Sequence, residues 1–387
     1  MFYSCKRFFL PVVVGLIIRP PGVHGYTIPI GERSIESPRT DYLLKAKAAV
    51  TTLQQWYNTT SGLWDTTGWW NSANCLTMLA DLTAIDSSMI HTTVPVFENT
   101  FVKAQQYNFS TSQVNEPSVG PPNGFINQYY DDEGWWALGW IKVFDLVHDP
   151  KYLSMAADIF KDMTTGWGAT CGGVWWNKNH TQNGAIENEL FLSVAAHLAN
   201  RMPDKNYYLD WALKEWTWFK RSGMINAQNN INNGLDLTTC ENDNGTIWSY
   251  NQGVILGGLV ELSRALPDES SYLKMAKNIA TAALEVLTDS NGILHDPCEP
   301  NCGADGSQFK GIFLRNVQDL YGASSSEQLK SFVERNADSI WINDRGVDNE
   351  LDILWSGPFT GGANASTQSS ACDALVAAVG VQSPKHA

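Results

Sequence analysis

Apolar residues recur at helical spacing along the chain, in two alternating kinds of segment. The first kind carries the pattern Tyr-Leu-x-x-Ala, which begins at Tyr42, Tyr152, Tyr208 and Tyr272. An Asp precedes each copy by one to four residues, as a helix N-cap would, and apolar residues then follow on one face. With similar segments near Thr93 and Ser326, these copies predict six amphipathic helices.

The second kind of segment follows a Gly- and Asn-rich stretch and is apolar on nearly all sides, which predicts a buried helix. Six such segments begin near Trp69, Asp131, Ala185, Tyr250, Phe309 and Thr367. No stretch indicates a long strand. Helix pairs that repeat about every 60 residues form either an open solenoid, which needs polar caps at both ends, or a closed ring.

The first and last buried segments decide between these architectures. They resemble the other four and have no polar cap, and Cys75 and Cys372 lie near their starts. A disulfide between these cysteines requires the two helices to be neighbours, which happens only if the ring closes. We therefore predict an all-α fold, an (α/α)6 barrel or double-layered helical toroid, with a Cys75–Cys372 disulfide.

The first 25 residues have the features of a secretory signal peptide. Lys6 and Arg7 precede an apolar run that is short for a membrane span, and small residues lead to a cleavage position before Tyr26. An uncleaved anchor is the alternative, which a proline within the run disfavours. We predict a signal peptide at residues 1–25 and a single barrel domain at residues 26–387, located outside the cell or in the cell wall.

An even number of cysteines remains beyond this leader, which in a secreted chain indicates disulfides. Besides the ring-closing pair, we predict Cys171–Cys240 and Cys298–Cys302. The expected glycosylation sites are the N-x-S/T sequons at Asn58, Asn108, Asn179, Asn244 and Asn364.

Acidic residues dominate the charge. The formal net charge is −14, and residues 1–25 hold three basic residues and no acid, so the remainder carries −17. This charge disfavours contact with nucleic acid and suits a neutral substrate. The sequence shows no metal-ligand spacing, phosphate loop or Ser-His-Asp signature, so no metal and no cofactor is expected. The C-terminus lacks the long apolar tail of a lipid-anchor signal, and we expect a monomer without a membrane span.

Loops that lead into the buried helices emerge on one face of such a barrel, and they are rich in aromatic and amide side chains. Flat rings in Gly- and Asn-rich loops suit sugar rings, which stack through their C–H faces, while Asn and Gln bind hydroxyls. Core filling is the alternative for most of the 16 Trp residues. The predicted sugar contacts are Trp69, Tyr130, Trp136, Trp176, Asp236, Tyr250, Asn251 and Gln252.

One of these lead-ins, "YYDDEGWW", places Asp131, Asp132 and Glu133 between large aromatic residues. Glycoside hydrolysis needs two carboxyls that flank one bond, one protonated and one ionised. The alternative is that acids in a first helical turn only stabilise the helix dipole. We predict that Asp131 and Asp132 are catalytic and that Glu133 is structural. The residues alone do not assign the two catalytic roles.

Four stretches resemble glycoside hydrolase family 76, the endo-α-1,6-mannanases of bacteria and fungi. They are "YYDDEGWWALGWIKVFDL" (129–146), "WSYNQGVILGGLVEL" (248–262), "LTDSNGILHD" (287–296) and "FKGIFLRNV" (309–317). The resemblance implies an (α/α)6 barrel and a retaining double displacement at α-1,6-mannan. It also implies that Asp131 is the nucleophile and Asp132 the general acid/base.

The predicted function is therefore a secreted hydrolase of internal α-1,6-mannosidic bonds in mannan. One alternative is a cell-wall transglycosidase acting on α-mannose-containing lipid-anchor glycans, which uses the same nucleophile but passes the sugar to another sugar. A non-catalytic mannan-binding wall protein is an alternative of another class, although a binder has no need for two buried acids. In each case the expected partner is a polysaccharide or glycan.

Overall fold

A computed structural model describes residues 37–107 and 124–382 of the chain. Thirteen α-helices lie in these ranges: α1 (Pro38–Leu53), α2 (Trp69–Ile85), α3 (Ile90–Lys103), α4 (Tyr130–Val147), α5 (Pro150–Met163), α6 (Ala185–Ala199), α7 (Lys205–Ser222), α8 (Ser249–Ala265), α9 (Ser271–Val286), α10 (Gly303–Gly306), α11 (Phe309–Ala323), α12 (Glu327–Asn343) and α13 (Ala365–Gly380). The strands described there, β1 (Tyr57–Asn58) and β2 (Leu63–Trp64), pair antiparallel. The predicted leader, its cleavage position and the Asn108 sequon lie outside these ranges.

The long helices form two concentric layers. Helices α2, α4, α6, α8, α11 and α13 are the inner layer, and nearly every side chain of α6 and α13 is buried. Helices α1, α3, α5, α7, α9 and α12 are the outer layer and bury one side each. Every inner helix packs against the next one, and α13 packs against α2. The ring is therefore closed, and the prediction of an (α/α)6 barrel is confirmed.

Outer helix α5 shows how the sequence specifies this layer. Asp149 caps the helix by accepting a hydrogen bond from the backbone N–H of Lys151 (3.1 Å), and Pro150 takes the first helical position. Tyr152 and Ala156 then follow one turn apart, and both are buried. The Tyr-Leu-x-x-Ala pattern thus marks the stripe by which an outer helix packs on the inner ring.

Hydrogen bonds join the first and last inner helices where both begin. Thr66 Oγ1 accepts from the backbone N–H of Ala365 (3.0 Å), and the hydroxyls of Thr67 and Ser366 bond to each other. Because each outer helix returns the chain, the N-termini of all six inner helices described here lie at one end of the barrel. We call this end, with its lead-in loops, the cleft face, and we call the end formed by the helix C-termini the base.

The predicted Cys75–Cys372 disulfide is wrong, although the helices that carry these cysteines are neighbours. Both thiols are buried and free. The Cys75 sulfur lies 3.9 Å from the carbonyl oxygen of Ala365, in the first turn of α13, and 3.8 Å from the amide nitrogen of Gln308. The Cys75 sulfur is thus directed to Ala365 and Gln308 and forms no bond to Cys372.

The other two predicted disulfides are confirmed. Cys171–Cys240 and Cys298–Cys302 have Cα–Cα distances of 5.2 and 4.8 Å, and both lie in lead-in loops of the cleft face. Among the predicted sequons, Asn179 and Asn244 are exposed, whereas Asn58 and Asn364 are half-buried. Within the two described ranges, no helix combines the length and apolar character needed to cross a membrane.

Candidate active site

The stretch "YYDDEGWW" forms the start of inner helix α4 at the cleft face. Tyr129 is the extended N-cap, with φ −126° and ψ 121°, and the helix begins at Tyr130. The backbone N–H of Tyr130 donates to the carbonyl of Trp176 (3.0 Å), which ties α4 to the neighbouring lead-in loop. Asp131 and Asp132 therefore lie in the first turn, where the helix presents its free N–H groups.

Asp131 receives hydrogen bonds that favour its ionised form. The indole N–H of Trp176 donates to its Oδ2 (3.0 Å), while Oδ1 is buried with no hydrogen-bond partner among the described residues. Burial raises the pKa of Asp131 to about 6, although the Trp176 indole and the backbone N–H groups of Asp131 and Asp132 act in the opposite direction. Asp131 is thus ionised at neutral pH, with one oxygen uncommitted.

Asp132 has weaker support for a negative charge. Its side-chain donor is the amide of Asn127, whose Nδ2 lies 2.7 Å from Oδ2. Burial, and then the charges of Asp131 and Asp305, hold the pKa of Asp132 well above its usual range. The two adjacent carboxyls are therefore inequivalent, because Asp131 accepts from the Trp176 indole whereas Asp132 has one amide donor and the charge of Asp131 beside it.

Glu133 has a structural role in this turn. Its side chain is completely buried, and Oε1 accepts a hydrogen bond from the backbone N–H of Asn127 (3.0 Å). The same oxygen pairs with the ammonium group of Lys178 (2.9 Å). Glu133 thereby fixes the segment that carries Asn127, and so the donor to Asp132.

Stacked aromatic pairs lie at the starts of the inner helices around the aspartates. Trp70 stacks on Trp135 at a centroid distance of 5.6 Å and an interplanar angle of 25°. Tyr250 stacks on Phe309 at 3.7 Å and 10°. Trp176, which bonds to Asp131, and Tyr250 are both half-buried, so their predicted sugar contacts are compatible with their positions.

Four of the residues predicted to contact sugar are enclosed in the wall of the barrel. The ring of Trp136 is 0 % exposed and packs against Trp69, while the Trp69 indole donates to the carbonyl of Ala104. Tyr130 is buried with its hydroxyl against Thr165. Gln252 is also 0 % exposed, and its amide bonds to the backbone of Ile231 at both ends. Their sugar contacts remain predictions.

Asn251 and Asp236 occupy different settings. Asn251 is completely buried near the start of α8, and its Oδ1 has no hydrogen-bond partner in the described ranges. Asp236 is exposed and accepts from the backbone N–H groups of Thr238 (2.7 Å) and Thr239 (3.0 Å), which close a turn beside the Cys171–Cys240 disulfide. These bonds lower the pKa of Asp236. A turn-forming role accounts for Asp236 without a sugar.

Two more acids of the cleft face, at the start of α6, are completely buried. Glu187 accepts a hydrogen bond from the backbone N–H of Gly184, as expected for a helix-start acid. Neither oxygen of Glu189 has a hydrogen-bond partner within the described residues. Burial raises the pKa of Glu187 to about 8 and holds the pKa of Glu189 well above its usual range.

Sequence reasoning missed two residues that contact this site. Asn127, which bonds to Asp132, lies in the lead-in before α4, and Asp305, which bonds to the indole of Trp70 (3.0 Å), lies before α11. The Asn-rich composition of the lead-ins was the available signal for Asn127. Asp305 had none, because its contact joins segments 235 residues apart. Across residues 37–107 and 124–382, no group of three or more His, Cys, Asp or Glu side chains could hold a metal ion.

The fold and the inequivalent carboxyl pair together define a class of protein. Two adjacent acids with unequal hydrogen-bond donors, at the aromatic mouth of a helical barrel, suit glycoside hydrolysis, which needs a carboxylate and a carboxylic acid. The sequence model of glycosyl hydrolase family 76 matches residues 43–386, and the chain belongs to this family. The resemblance inferred from the sequence is thus confirmed.

Two fungal proteins are similar to this chain in sequence. Mannan endo-1,6-alpha-mannosidase DCW1 of Candida albicans is 27% identical over 215 residues, which are 50% of this chain and 47% of that protein. Mannan endo-1,6-alpha-mannosidase DFG5 of Saccharomyces cerevisiae is 26% identical over 216 residues, which are 50% of this chain and 46% of that protein. The chain spans about half the length of the curated relatives it matches.

Solved structures share the barrel over most of the chain. One is an inactive variant of the α-1,6-mannanase GH76A of a Salegentibacter species, with two adjacent aspartates changed to asparagine, in complex with α-1,6-mannotriose. It has a TM-score of 0.75 and 21% identity, and covers 88% of this chain and 99% of that chain. Dfg5 from Chaetomium thermophilum in complex with glucosamine has a TM-score of 0.74 and 18% identity, over 89% and 92%.

Proposed function

We propose that this protein is a secreted endo-α-1,6-mannosidase that cleaves internal bonds of mannan by a retaining double displacement. The observation that carries the proposal is the inequivalence of the two aspartates. Asp131 accepts from an indole and from backbone N–H groups, whereas Asp132 has one amide donor and the charge of Asp131 beside it. A retaining mechanism needs such a pair, with one carboxylate and one carboxylic acid.

In the first step, ionised Asp131 attacks the anomeric carbon of the mannosyl residue. The glycosidic C–O bond breaks as Asp132 gives its proton to the leaving oxygen, which departs as the hydroxyl of the shortened chain. The product on the protein is a mannosyl ester of Asp131 with inverted anomeric configuration. Trp176 binds Oδ2 of Asp131, so the attack is assigned to Oδ1, which has no hydrogen-bond partner among the described residues.

In the second step, Asp132 is ionised and accepts a proton from an incoming water. The water oxygen attacks the anomeric carbon, the ester bond to Asp131 breaks, and the configuration inverts again, so the product retains the α configuration. Asp132 ends the cycle protonated and Asp131 ionised. The loss of the Asp131 charge in the ester intermediate lowers the pKa of Asp132, which suits its change from acid to base.

The substrate assignment rests on the relatives and on charge. The named fungal relatives are mannan endo-1,6-alpha-mannosidases, and the Salegentibacter structure contains α-1,6-mannotriose bound to a variant that lacks its aspartate pair. A chain with a net charge of −14 suits a neutral polysaccharide. We extend the proposal to residues 26–387 as the secreted, glycosylated catalytic domain, acting as a monomer outside the cell or in the cell wall.

A second candidate function is transfer of the mannosyl group to another sugar. The structural likeness to Chaetomium Dfg5, which was solved with glucosamine, favours this candidate, because that barrel binds a sugar other than mannose. Transfer and hydrolysis share the first step and the ester on Asp131. They differ only in whether water or a sugar hydroxyl occupies the acceptor position in the second step.

The test compares the wild-type protein with the Asp131→Asn and Asp132→Asn variants on linear α-1,6-mannan, with products followed by mass spectrometry. Hydrolysis predicts shortened mannan from the wild type and a loss of roughly a thousandfold or more in either variant. Parallel reactions with added acceptor sugars separate the two candidates, because acceptor-linked products indicate transfer. Binding without turnover by all three proteins would instead identify a mannan-binding protein.

Azide separates the roles of the two aspartates. On an activated α-mannoside, azide is expected to restore turnover in Asp132→Ala and give the α-mannosyl azide, because it replaces the base-activated water. In Asp131→Ala it is expected to enter from the opposite face and give the β-mannosyl azide. The reverse pattern of products would exchange the assigned roles.

A further inference from the structure

Asp305 lies on the wall of the cleft face opposite the aspartate pair. It belongs to the single-turn helix α10, directly before inner helix α11, and its side chain is exposed. In the ring order α2, α4, α6, α8, α11, α13, helix α11 is three places from α4, which carries Asp131 and Asp132. Asp305 therefore approaches the pair from across the barrel.

A pair of tryptophans connects the two walls. The indole N–H of Trp70, on α2, donates to Oδ1 of Asp305 (3.0 Å), and the Trp70 ring stacks on Trp135 of α4 (5.6 Å). Trp135 follows Asp132 by three residues, so the two side chains share a side of α4. Asp305, Trp70, Trp135 and the catalytic turn thus form one continuous surface.

The charge of Asp305 acts on the catalytic pair. The carboxylate of Asp305 contributes to raising the pKa of Asp131, of Asp132 and of the Tyr250 hydroxyl, with burial the larger cause in each case. These three groups stand on α4 and α8, so the carboxylate acts across the mouth of the barrel.

The segment that carries Asp305 is fixed without being buried. The Cys298–Cys302 disulfide closes the loop just before α10. A Cβ placed on Gly306 would come within 2.9 Å of Cys302 Cβ and 3.2 Å of Cys298 Sγ, so the disulfide packs directly under α10. The carboxylate is therefore held in place while its Oδ2 remains exposed, with no hydrogen-bond partner among the described residues.

We propose that Asp305 binds sugar hydroxyls on the wall opposite the catalytic pair, with Oδ1 held by Trp70 and Oδ2 accepting from a sugar that lies beside the half-buried ring of Trp70. The Cys298–Cys302 loop positions this carboxylate. The inference rests on the proposed function and deepens it, since it names a residue that selects for a hydroxylated substrate at that site. A hydrogen bond from a sugar hydroxyl to a carboxylate stabilises substrate and transition state alike.

Binding is measured by calorimetry with α-1,6-mannotetraose, on a background of Asp131→Asn with Asp132→Asn so that no turnover interferes. Adding Asp305→Asn is expected to weaken binding roughly tenfold or more, since a hydrogen bond to a charged group is lost. Trp70→Phe keeps the ring but removes the indole donor, and is expected to weaken binding less. The matched control is Asp268→Asn, an exposed acid in the loop after α8 at the base, which is expected to leave binding unchanged.

Turnover provides a readout that a purely structural role would not change. Asp305→Asn in the otherwise wild-type protein is expected to raise KM roughly tenfold with little change in kcat, and to move both limbs of the pH profile of kcat/KM to lower pH. The shift arises because a negative charge facing Asp131, Asp132 and Tyr250 is removed, while Glu187 and Trp176 remain as before.

The outcomes separate this inference from the proposed function. If mannotetraose binds the background protein and Asp305→Asn binds equally well, the role of Asp305 is refuted while the proposed function stands. If neither protein binds mannotetraose, the mannan assignment fails and the inference fails with it. A drop in binding accompanied by a lower unfolding temperature, with Trp70→Phe unaffected, would show a structural role and also overturns the inference.

Discussion

Two buried carboxylates, one at each end of the barrel, have opposite surroundings. At the base, Glu261 of α8 is 1 % exposed and is surrounded by Arg201, Arg264 and His197. Burial alone would raise its pKa, yet these neighbours outweigh burial and lower it. At the cleft face, the buried Glu189 of α6 has no hydrogen-bond partner within the described residues, and burial raises its pKa.

The difference separates an acid that stabilises the fold from one that costs stability. An acid with a lowered pKa is ionised, paired and inert, and it stabilises the fold wherever it stays ionised. An acid with a raised pKa costs stability at neutral pH, and such acids concentrate at functional sites. The cleft face holds Asp131, Asp132, Glu187 and Glu189 in this second condition.

The largest differences in activity and in stability are expected when one acid at each end is replaced by its amide. At the cleft face this acid is Asp131. Asp131→Asn should reduce kcat on mannan oligosaccharides by about a thousandfold to ten-thousandfold, because the nucleophile is lost. The free energy of unfolding should stay the same or rise by about 1 kcal/mol, since a buried charge is removed. Steady-state kinetics and urea unfolding of the same preparation measure both. A large loss of stability would show that Asp131 supports the fold.

Glu261→Gln should behave in the reverse manner. Removing this carboxylate takes a charged partner from Arg201, which keeps Asp145, and from Arg264, which is half exposed. The expected cost is about 1.5–3 kcal/mol of unfolding free energy, while kcat is retained at a temperature where the variant is folded. This difference in unfolding free energy between variant and wild type should shrink as the pH falls. Because the folded pKa of Glu261 is lowered, its carboxylate stabilises the fold fully above the unfolded pKa of about 4.3, and this stabilisation is lost as the pH falls from there towards the folded pKa. Urea unfolding at two pH values tests this; an unchanged loss at low pH would contradict it.

The barrel and the catalytic turn were predictable because both are encoded locally. The apolar period separates inner from outer helices, and α2, α6 and α11 begin at Trp69, Ala185 and Phe309, the positions that the pattern predicted. The acids of "YYDDEGWW" are adjacent in sequence, so any helix start there places Asp131 and Asp132 together.

The sugar contacts were less predictable for a physical reason. An inner helix is apolar on all sides, so its sequence does not reveal which face points to the barrel axis and which packs on its neighbours. Trp136 and Gln252 are examples, since both were predicted to contact sugar and both are enclosed. Contacts between loops, such as Trp70 with Asp305, depend on ring closure and leave no periodic signal. The same limit explains the wrong Cys75–Cys372 disulfide, since neighbouring helices were predicted correctly but the contacts of their cysteine side chains were not.

A smaller effect at the cleft face should come from Trp176→Phe, which keeps an aromatic ring but removes the N–H donor to Asp131. We expect kcat/KM to fall about 10- to 100-fold, in line with the loss of one hydrogen bond to a charged group. The indole lowers the pKa of Asp131, which is about 6, so the acidic limb of the pH profile should move to higher pH in the variant. Rates measured from pH 4 to 8 would show this, and an unmoved acidic limb would separate Trp176 from the charge on Asp131.

The smallest and most discriminating effect is expected from Glu189→Gln. Burial raises the pKa of Glu189, so its protonated form imposes no charge penalty on the fold below the unfolded pKa of about 4.3. As the pH rises towards the folded pKa, the buried group lowers the unfolding free energy of the wild type. Glutamine does not titrate, so the variant should match the wild type at pH 4 and exceed its unfolding free energy by roughly 1 kcal/mol at pH 7. This pH trend is opposite to that of Glu261→Gln, where the variant loses more stability as the pH rises. If both variants follow the same trend in urea unfolding, the two ends of the barrel do not differ in the way proposed, and the raised pKa values at the cleft face lose their functional meaning.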